Sequence, residues 1–162
     1  MSKRREGEFK MEETAKAADM FISEAIPLSV VKRDFSKYNR LAQLGLEILV
    51  VNKHAKTATT SLVDSDVLSV LMDGLRFSII ETDGEELGGM TIAVDELPVY
   101  GEGDTREEAV ADLLEAVVDY CNVYTDNIEM YRQVEGPRQR ALMLKLLRCK
   151  DNKERLRQTL KV

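Results

Sequence analysis

The hydrophobic positions of residues 26–45 predict a short strand followed by one helix. Residues 26–30 form a strand-like run in which Pro27 favours the edge of a sheet. Behind it, apolar residues recur every three or four positions, a spacing typical of a helix over residues 31–44 that ends at Gly45. We expect the stripe to be buried; its members are Val31, Phe35, Tyr38, Leu41 and Leu44.

A hairpin and a second helix follow. The apolar run 47–52 and the β-branched run 57–63 predict two strands joined by a loop over residues 53–56. Ser65 is a candidate N-cap for a helix that ends near Gly74, with Val67, Leu68, Leu71 and Met72 on one face. Residues 26–75 therefore form one small unit. In the preceding extension, residues 1–25, a loose amphipathic helix over 12–22 and a frayed chain end are equal alternatives.

Residues 76–133 have a different pattern, with alternating runs before one long helical stripe. Strands are expected over residues 77–82, 90–95 and 97–100. Thr105 and Glu108 fit a capping box, with Asp104 as an alternative N-cap, and open a helix over residues 104–133. Gly136 and Pro137 break it, and residues 138–148 and 152–160 predict two short basic helices within a tail, residues 134–162.

Charge divides the chain more sharply than its net value of −6 suggests. Residues 1–75 are neutral overall, residues 76–131 hold two basic and 15 acidic side chains, and residues 132–162 hold ten basic and three acidic ones. Three roles are open for the basic tail: it could add phosphate contacts, dock on the acidic segment of its own chain or of a dimer mate, or bind a toxin. Because of its leucines we favour docking within the chain, held by the leucines more than by exposed ion pairs. No apolar run is long enough for a membrane span or a secretory signal, and two cysteines make no disulfide scaffold, which predicts a cytoplasmic protein.

The sequence gives little support for catalysis or for metal binding. The one histidine, His54, is expected in a solvated loop, and together with Cys121 and Cys149 it falls short of a four-ligand zinc set. Cys121 lies on the apolar stripe of the long helix and is expected in the core. Gly101 and Gly103 precede a helix, but the surrounding carboxylates would repel a phosphate. We predict no enzyme activity, no metal and no cofactor.

Basic residues at the first helix offer a better site. Lys32, Arg33, Lys37 and Arg40 lie opposite the apolar stripe, where they could contact phosphates and bases. From composition alone, a solvated helix surface is the favoured alternative.

Residues 26–73 resemble the Phd/YefM family of bacterial antitoxins in the order and spacing of their elements: a short strand, a helix with basic residues, a glycine before a strand, a hairpin, another strand and a helix. The resemblance implies a two-fold dimer that binds its own promoter through the start of the first helix. By position, it places DNA contacts at Ser29, Lys32 and Arg33, and further at Lys37.

Residues 76–130 are similar to the HicB-type fold, another antitoxin-associated module. The likeness lies in the strand pair 77–82 and 90–95 and in the junction YGEGDTREEA at residues 100–109. Together the two resemblances imply an α+β chain that combines a Phd/YefM-like dimerising sheet-and-helix unit, a HicB-like β-hairpin and long-helix unit, and C-terminal helices.

The predicted function is that of an antitoxin that represses its own operator and neutralises a cognate toxin. We expect a homodimer or a higher oligomer, because the strands 47–52 and 57–63 make too small a sheet to bury their faces alone. Candidate partner contacts in the tail are Arg138, Arg140, Leu142, Lys145 and Leu146. The alternative is an interaction adaptor without DNA, which would pair its long helix at 104–133 with a partner.

Overall fold

The structure, a computed structural model, describes residues 25–52, 59–84 and 88–162. The predicted 12–22 helix, the 53–56 loop and His54 lie outside the described residues. The chain divides into two compact units, and the boundary between them falls between Leu71 and Met72. Both units are mixtures of helices and strands, so the predicted α+β class is confirmed at that level.

The N-terminal unit begins with a short edge strand. β1 (Ile26–Pro27) pairs in parallel with β2 (Ile48–Val51), which pairs antiparallel with β3 (Thr59–Leu62). The order β1-β2-β3 leaves β1 at the edge, as predicted for a strand with a proline that cannot donate to a ladder. The strand is shorter than expected, because α1 (Leu28–Arg33) already begins after Pro27 and includes Ser29 and Val30.

The helix predicted over residues 31–44 is broken into two. α1 ends at Arg33, and α2 (Phe35–Gln43) begins after Asp34, whose φ of −117° and ψ of 35° lie outside the helical region. The break changes the phase of the stripe, so Phe35 and Leu44 are 53% and 63% exposed, contrary to expectation. The core of this unit is formed by apolar side chains of the sheet and of both helices: Ile26, Val31, Tyr38, Leu41, Ala42, Ile48 and Val50.

The helix predicted at Ser65 is present as α3 (Ser65–Asp73), but its cap is a different residue. The carboxylate of Asp64 accepts hydrogen bonds from the backbone N–H groups of Asp66 and Val67, at 2.8 and 3.2 Å. Ser65 is therefore the first helical residue. Of the four residues predicted to share one face, Met72 is buried and Leu68 partly buried, whereas Val67 and Leu71 are exposed.

The C-terminal unit has an antiparallel sheet of order β4-β5-β6. β4 (Ile79–Asp83) and β5 (Met90–Val94) match the predicted hairpin. The third strand is β6 (Tyr100–Gly103), not residues 97–100. Leu97 lies instead in a turn, where its N–H donates to the carbonyl of Val94 at 3.0 Å and its side chain is buried in the core.

The long helix begins as the sequence predicts and is interrupted once. In α4 (Arg106–Asp126), the Thr105 hydroxyl accepts from the Glu108 N–H and the Glu108 carboxylate accepts from the Thr105 N–H, which confirms the capping box. Asn127 then separates α4 from α5 (Ile128–Val134). Pro137 is the first residue of α6 (Pro137–Leu147), and Asn152 caps α7 (Lys153–Leu160).

The tail is docked, as expected from its leucines. Side chains of α6 and α7 share one hydrophobic core with α4 and the sheet. The tail contributes Met143, Leu146, Cys149, Leu156 and Leu160 to that core, and α4 contributes Val110, Leu113, Val117 and Cys121 among others. The location of Cys121 in the core is confirmed.

Candidate functional site

The predicted DNA-contacting cations lie around the break between α1 and α2. Lys32, Arg33 and Lys37 are exposed and line an open cleft together with Asp34, Phe35 and Ser36. Ser29 is exposed on α1, one helical turn before Lys32 and Arg33. The structure therefore brings three of the four predicted residues to one cleft and places the fourth on the same short helix.

Packing on the opposite side fixes these two helices. Val31 of α1 and Tyr38 and Leu41 of α2 are buried in the core that includes β2. At the break, the Asp34 carbonyl accepts from the N–H groups of Lys37 and Tyr38, at 3.0 and 3.4 Å. The Arg33 guanidinium pairs with the neighbouring Asp34 carboxylate at 3.1 Å, and its side chain stays largely exposed. Because an exposed pair of this kind contributes about 0–1 kcal/mol, Arg33 can exchange it for a phosphate at little cost.

The tail residues predicted to contact a partner separate into two groups. Arg138 and Arg140 are exposed at the start of α6. Leu142 and Leu146 are buried, contrary to what a partner surface requires. Lys145 is only partly exposed, and its Nζ donates to the Leu75 carbonyl at 2.8 Å. The hydrophobic spacing of α6 serves the chain's own core.

Polar contacts of the tail join it mainly to α4. Lys153 pairs with Glu115 at 2.9 Å and Arg157 with Glu107 at 3.1 Å. Lys150 donates to the Asn122 side-chain oxygen at 2.7 Å. In addition, the Gln139 amide donates to the Glu96 carbonyl at 2.8 Å. Basic charge of the tail thus lies along the acidic long helix, on side chains that remain at the surface.

A tyrosine cluster holds α5 against α4. Tyr124 and Tyr131 stack with ring centroids 4.7 Å apart, and Tyr120 meets Tyr131 edge-on at 6.2 Å. The Tyr124 hydroxyl donates to the Glu135 carboxylate at 2.8 Å. Burial, together with that hydrogen bond and the nearby negative charge, raises the pKa of Tyr124 to about 12. The cluster was not predicted from the sequence, although the spacing of the three tyrosines along the helical stripe was its signal.

The glycines before the long helix serve packing. A Cβ added to Gly101 would lie well under 3.0 Å from the backbone of Ala109 and Leu113, and one added to Gly103 would meet Ala109 and Glu108 at 2.5 Å. β6 therefore runs against α4 at a distance that only glycine permits. In the part of the chain that the structure describes, no group of three or more His, Cys, Asp and Glu side chains is arranged to hold a metal ion.

The two thiols pack as part of the hydrophobic core. Cys121 and Cys149 are both free and buried. Burial raises the pKa of the Cys121 thiol to about 11, so the nucleophilic thiolate is disfavoured at neutral pH. Cys149 Sγ lies 3.3 Å from the Leu146 carbonyl, to which it donates.

The long helix does not offer its apolar stripe to a partner. Val110, Leu113, Val117 and Cys121 are fully buried in the unit's own core. In the adaptor alternative, the long helix would have to pair with a partner through its surface outside this stripe. Among the described residues, no helix is long and apolar enough to cross a membrane.

The described residues form a small α+β protein with exposed basic side chains on the helix pair α1 and α2, and comparison with known proteins gives its family. The family described as "PHD_like: Antitoxin of toxin-antitoxin, RelE / RelB, TA system" matches residues 22–161. The chain belongs to this antitoxin family. An antitoxin role implies a cognate toxin as partner.

A solved structure supports the fold. The chain is similar to a protein of Syntrophomonas wolfei subsp. wolfei, described as an antitoxin part of a toxin/antitoxin system, whose crystal structure is at 1.80 Å resolution. The TM-score is 0.67 at 14% sequence identity, over 85% of this chain and 96% of that one. No curated protein matches the chain.

Proposed function

We propose that this chain is a non-enzymatic, cytoplasmic antitoxin that neutralises its toxin and represses its own promoter through α1 and α2. The antitoxin part rests on the family match over residues 22–161. The DNA-binding part rests on one observation: Lys32, Arg33 and Lys37 are held together at an exposed cleft while the other side of the helix pair is anchored in the core. The cytoplasmic assignment is supported by two buried free thiols, which suit a reducing compartment.

The cations are suited to phosphate because they are local and exposed. Residues 1–75 have no net charge, so the basic cluster does not reflect a basic domain. Ser29, Lys32 and Arg33 lie on the short α1, and Lys37 lies in the first turn of α2. Phosphate contacts from such side chains would orient the protein on the duplex, and base-edge contacts from the same helix would specify the sequence.

Dimerisation belongs to the same proposal. The N-terminal unit leaves several large apolar side chains at its surface away from the basic cleft, and a two-fold partner would cover them: Leu44, Val67, Val70 and Leu71. Sedimentation at micromolar concentration should give a dimer or higher oligomer, and a monomer would contradict the proposed dimerisation. The Phd/YefM-like and HicB-like assignments of the two units remain part of this proposal.

Operator binding is tested with the DNA upstream of the chain's own reading frame. Changing Lys32 and Arg33 to Ala should weaken binding and reduce the slope of log K against log salt by about 0.9 per lost phosphate contact, doubled in a dimer. The control variant changes Arg155 and Lys161 to Ala, which removes the same charge from exposed positions at the end of the tail. Equal losses in both variants would indicate a general charge effect and refute the assignment to α1.

Neutralisation is tested by co-expression with the product of the adjoining reading frame. That product alone should arrest growth, and this chain should restore it. Of the tail residues proposed for toxin contact, Arg138 and Arg140 are available while the tail stays docked, whereas Leu142, Lys145 and Leu146 would require α6 to separate from the core. Growth arrest that this chain does not relieve would overturn the antitoxin assignment for that pair.

A further inference from the structure

The sheet of the C-terminal unit has one face covered by α4 and one face open. Gly101 and Gly103 of β6 turn toward α4, since a Cβ on either would run into that helix. Ile92 of β5 is paired with Gly101 of β6, so its side chain lies on the same covered face, where it is fully buried. Neighbouring residues on a strand point to opposite faces. The open face therefore carries the alternate positions: Ile80, Thr82, Thr91, Ala93, Tyr100 and Glu102.

An apolar row crosses this open face. Ile80 pairs with Ala93, and Ala93 pairs with Tyr100, so the three lie side by side on β4, β5 and β6. Directly paired residues of antiparallel strands have Cβ atoms about 4.5–5.5 Å apart, which makes the row continuous. Ile80 is 48% exposed and Tyr100 57% exposed. A tyrosine beside an aliphatic residue on a rigid sheet is the kind of anchor that dominates protein interfaces.

The charge of the open face is acidic. Glu102 lies on it beside Thr91, and the six positions of the face include no basic side chain. Of the two basic residues within 76–131, Arg106 is already paired with Glu81 at 2.8 Å. The tail's ion pairs reach Glu107 and Glu115 on α4, which covers the other side of the sheet. The open face therefore complements a cationic partner and would repel a phosphate backbone.

We propose that the open face of β4-β5-β6 is the docking surface for a cationic protein, the cognate toxin. This rests on the proposed antitoxin function and assigns its partner surface to the sheet instead of to the tail residues Arg138 and Arg140, whose positive charge would repel a cationic protein. The toxin would place an apolar side chain on the Ile80–Ala93–Tyr100 row and basic side chains near Glu102. Unlike Leu142 and Leu146 of the tail, these residues are accessible without any unfolding.

Calorimetric titration with the purified product of the adjoining reading frame tests the surface. Ile80→Lys and Tyr100→Lys should each weaken binding by roughly tenfold or more, the loss typical of a buried interface anchor. The matched controls are Val123→Lys and Met130→Lys, at positions 50% and 56% exposed on α4 and α5. These controls should change the affinity by less than about twofold, as expected outside an interface. Glu102→Gln should flatten the salt dependence of binding, whereas Glu129→Gln on α5 should not.

Stability is checked separately. If a lysine variant lowers the thermal midpoint, Ile80→Thr and Tyr100→Thr replace it, because threonine keeps β-propensity while removing the apolar contact. Those variants should still bind more weakly than the controls.

The outcomes separate the two proposals. A wild-type chain that neither binds nor neutralises the product overturns the antitoxin function. A wild-type chain that does both, with sheet variants that bind as well as the controls, overturns the sheet surface alone. Loss of self-association in the sheet variants, with toxin affinity unchanged, would assign the face to a second copy and equally refute it.

Discussion

Replacing Gly101 with Ala tests how closely β6 and α4 must approach. The added methyl group would lie well inside 3.0 Å of backbone atoms of Ala109 and Leu113. The backbone of the capped N-terminal half of α4 cannot rotate away as a side chain can, so β6 or α4 must shift. Overpacking of a core costs about 1–3 kcal/mol and occasionally more, and we place this site at about 3 kcal/mol because rigid backbone is the obstacle.

The matched control is Gly136→Ala. Gly136 has no atom within 4 Å of an added Cβ, and it is the N-cap of α6 with ordinary backbone angles. The reduced entropy of the unfolded chain favours Ala by about 0.4–1 kcal/mol, and the preference for Gly over Ala at an N-cap opposes it by about 0.5–1 kcal/mol. Gly136→Ala should therefore change the stability little.

Urea unfolding measures both variants. Near-ultraviolet circular dichroism follows the cluster of Tyr120, Tyr124 and Tyr131, which lies in the affected unit. With an m-value of about 2 kcal/mol per molar urea, a loss of about 3 kcal/mol lowers the midpoint by roughly 1.5 M. If Gly101→Ala shifts the midpoint by no more than Gly136→Ala does, the close approach of strand and helix is not a packing requirement, which would refute this prediction.

Three further predictions concern the tail and the tyrosine cluster. Leu146→Ala removes a fully buried side chain, so it should lower the free energy of unfolding by about 2–5 kcal/mol and speed proteolysis within α6 and α7. Leu144→Ala, at an exposed position, should change neither the stability nor the proteolysis rate. Changing Lys153 and Arg157 to Ala together should cost no more than about 2 kcal/mol and leave the tail docked, because both pairs are solvent-exposed; a loss as large as that of Leu146→Ala would contradict this. Folding raises the pKa of Tyr124 from 10.0 to about 12 and therefore favours the neutral phenol. The stability that this shift contributes is complete below pH 10 and is lost as the pH rises toward 12. The unfolding free energy of the wild type relative to Tyr124→Phe should fall over that interval, and a constant difference would refute the assignment.

Local signals in the sequence determined the start of the long helix, the places of Pro27 and Pro137, and the docking of the tail. Thr105 and Glu108 form the predicted capping box because both partners lie within one helical turn. Pro27 lies at a sheet edge, and Pro137 begins a helix, because the missing N–H of proline limits where it can stand. The leucines of the tail predicted docking, and they reach the core with α4.

Only tertiary structure decided where elements break and which positions face water. Asp34 and Asn127 interrupt helices that spacing alone would continue, and the first break leaves Phe35 at the surface. The third strand begins at Tyr100 rather than Leu97, because the Gly101 and Gly103 backbone fits against α4 and Leu97 fills the core. Hydrophobic periodicity indicates which residues are suited to burial, whereas packing between distant segments determines which segment buries them. For the same reason, the sequence could group the cations of α1 and α2 but could not give the open sheet face, whose row of Ile80, Ala93 and Tyr100 exists only through strand register.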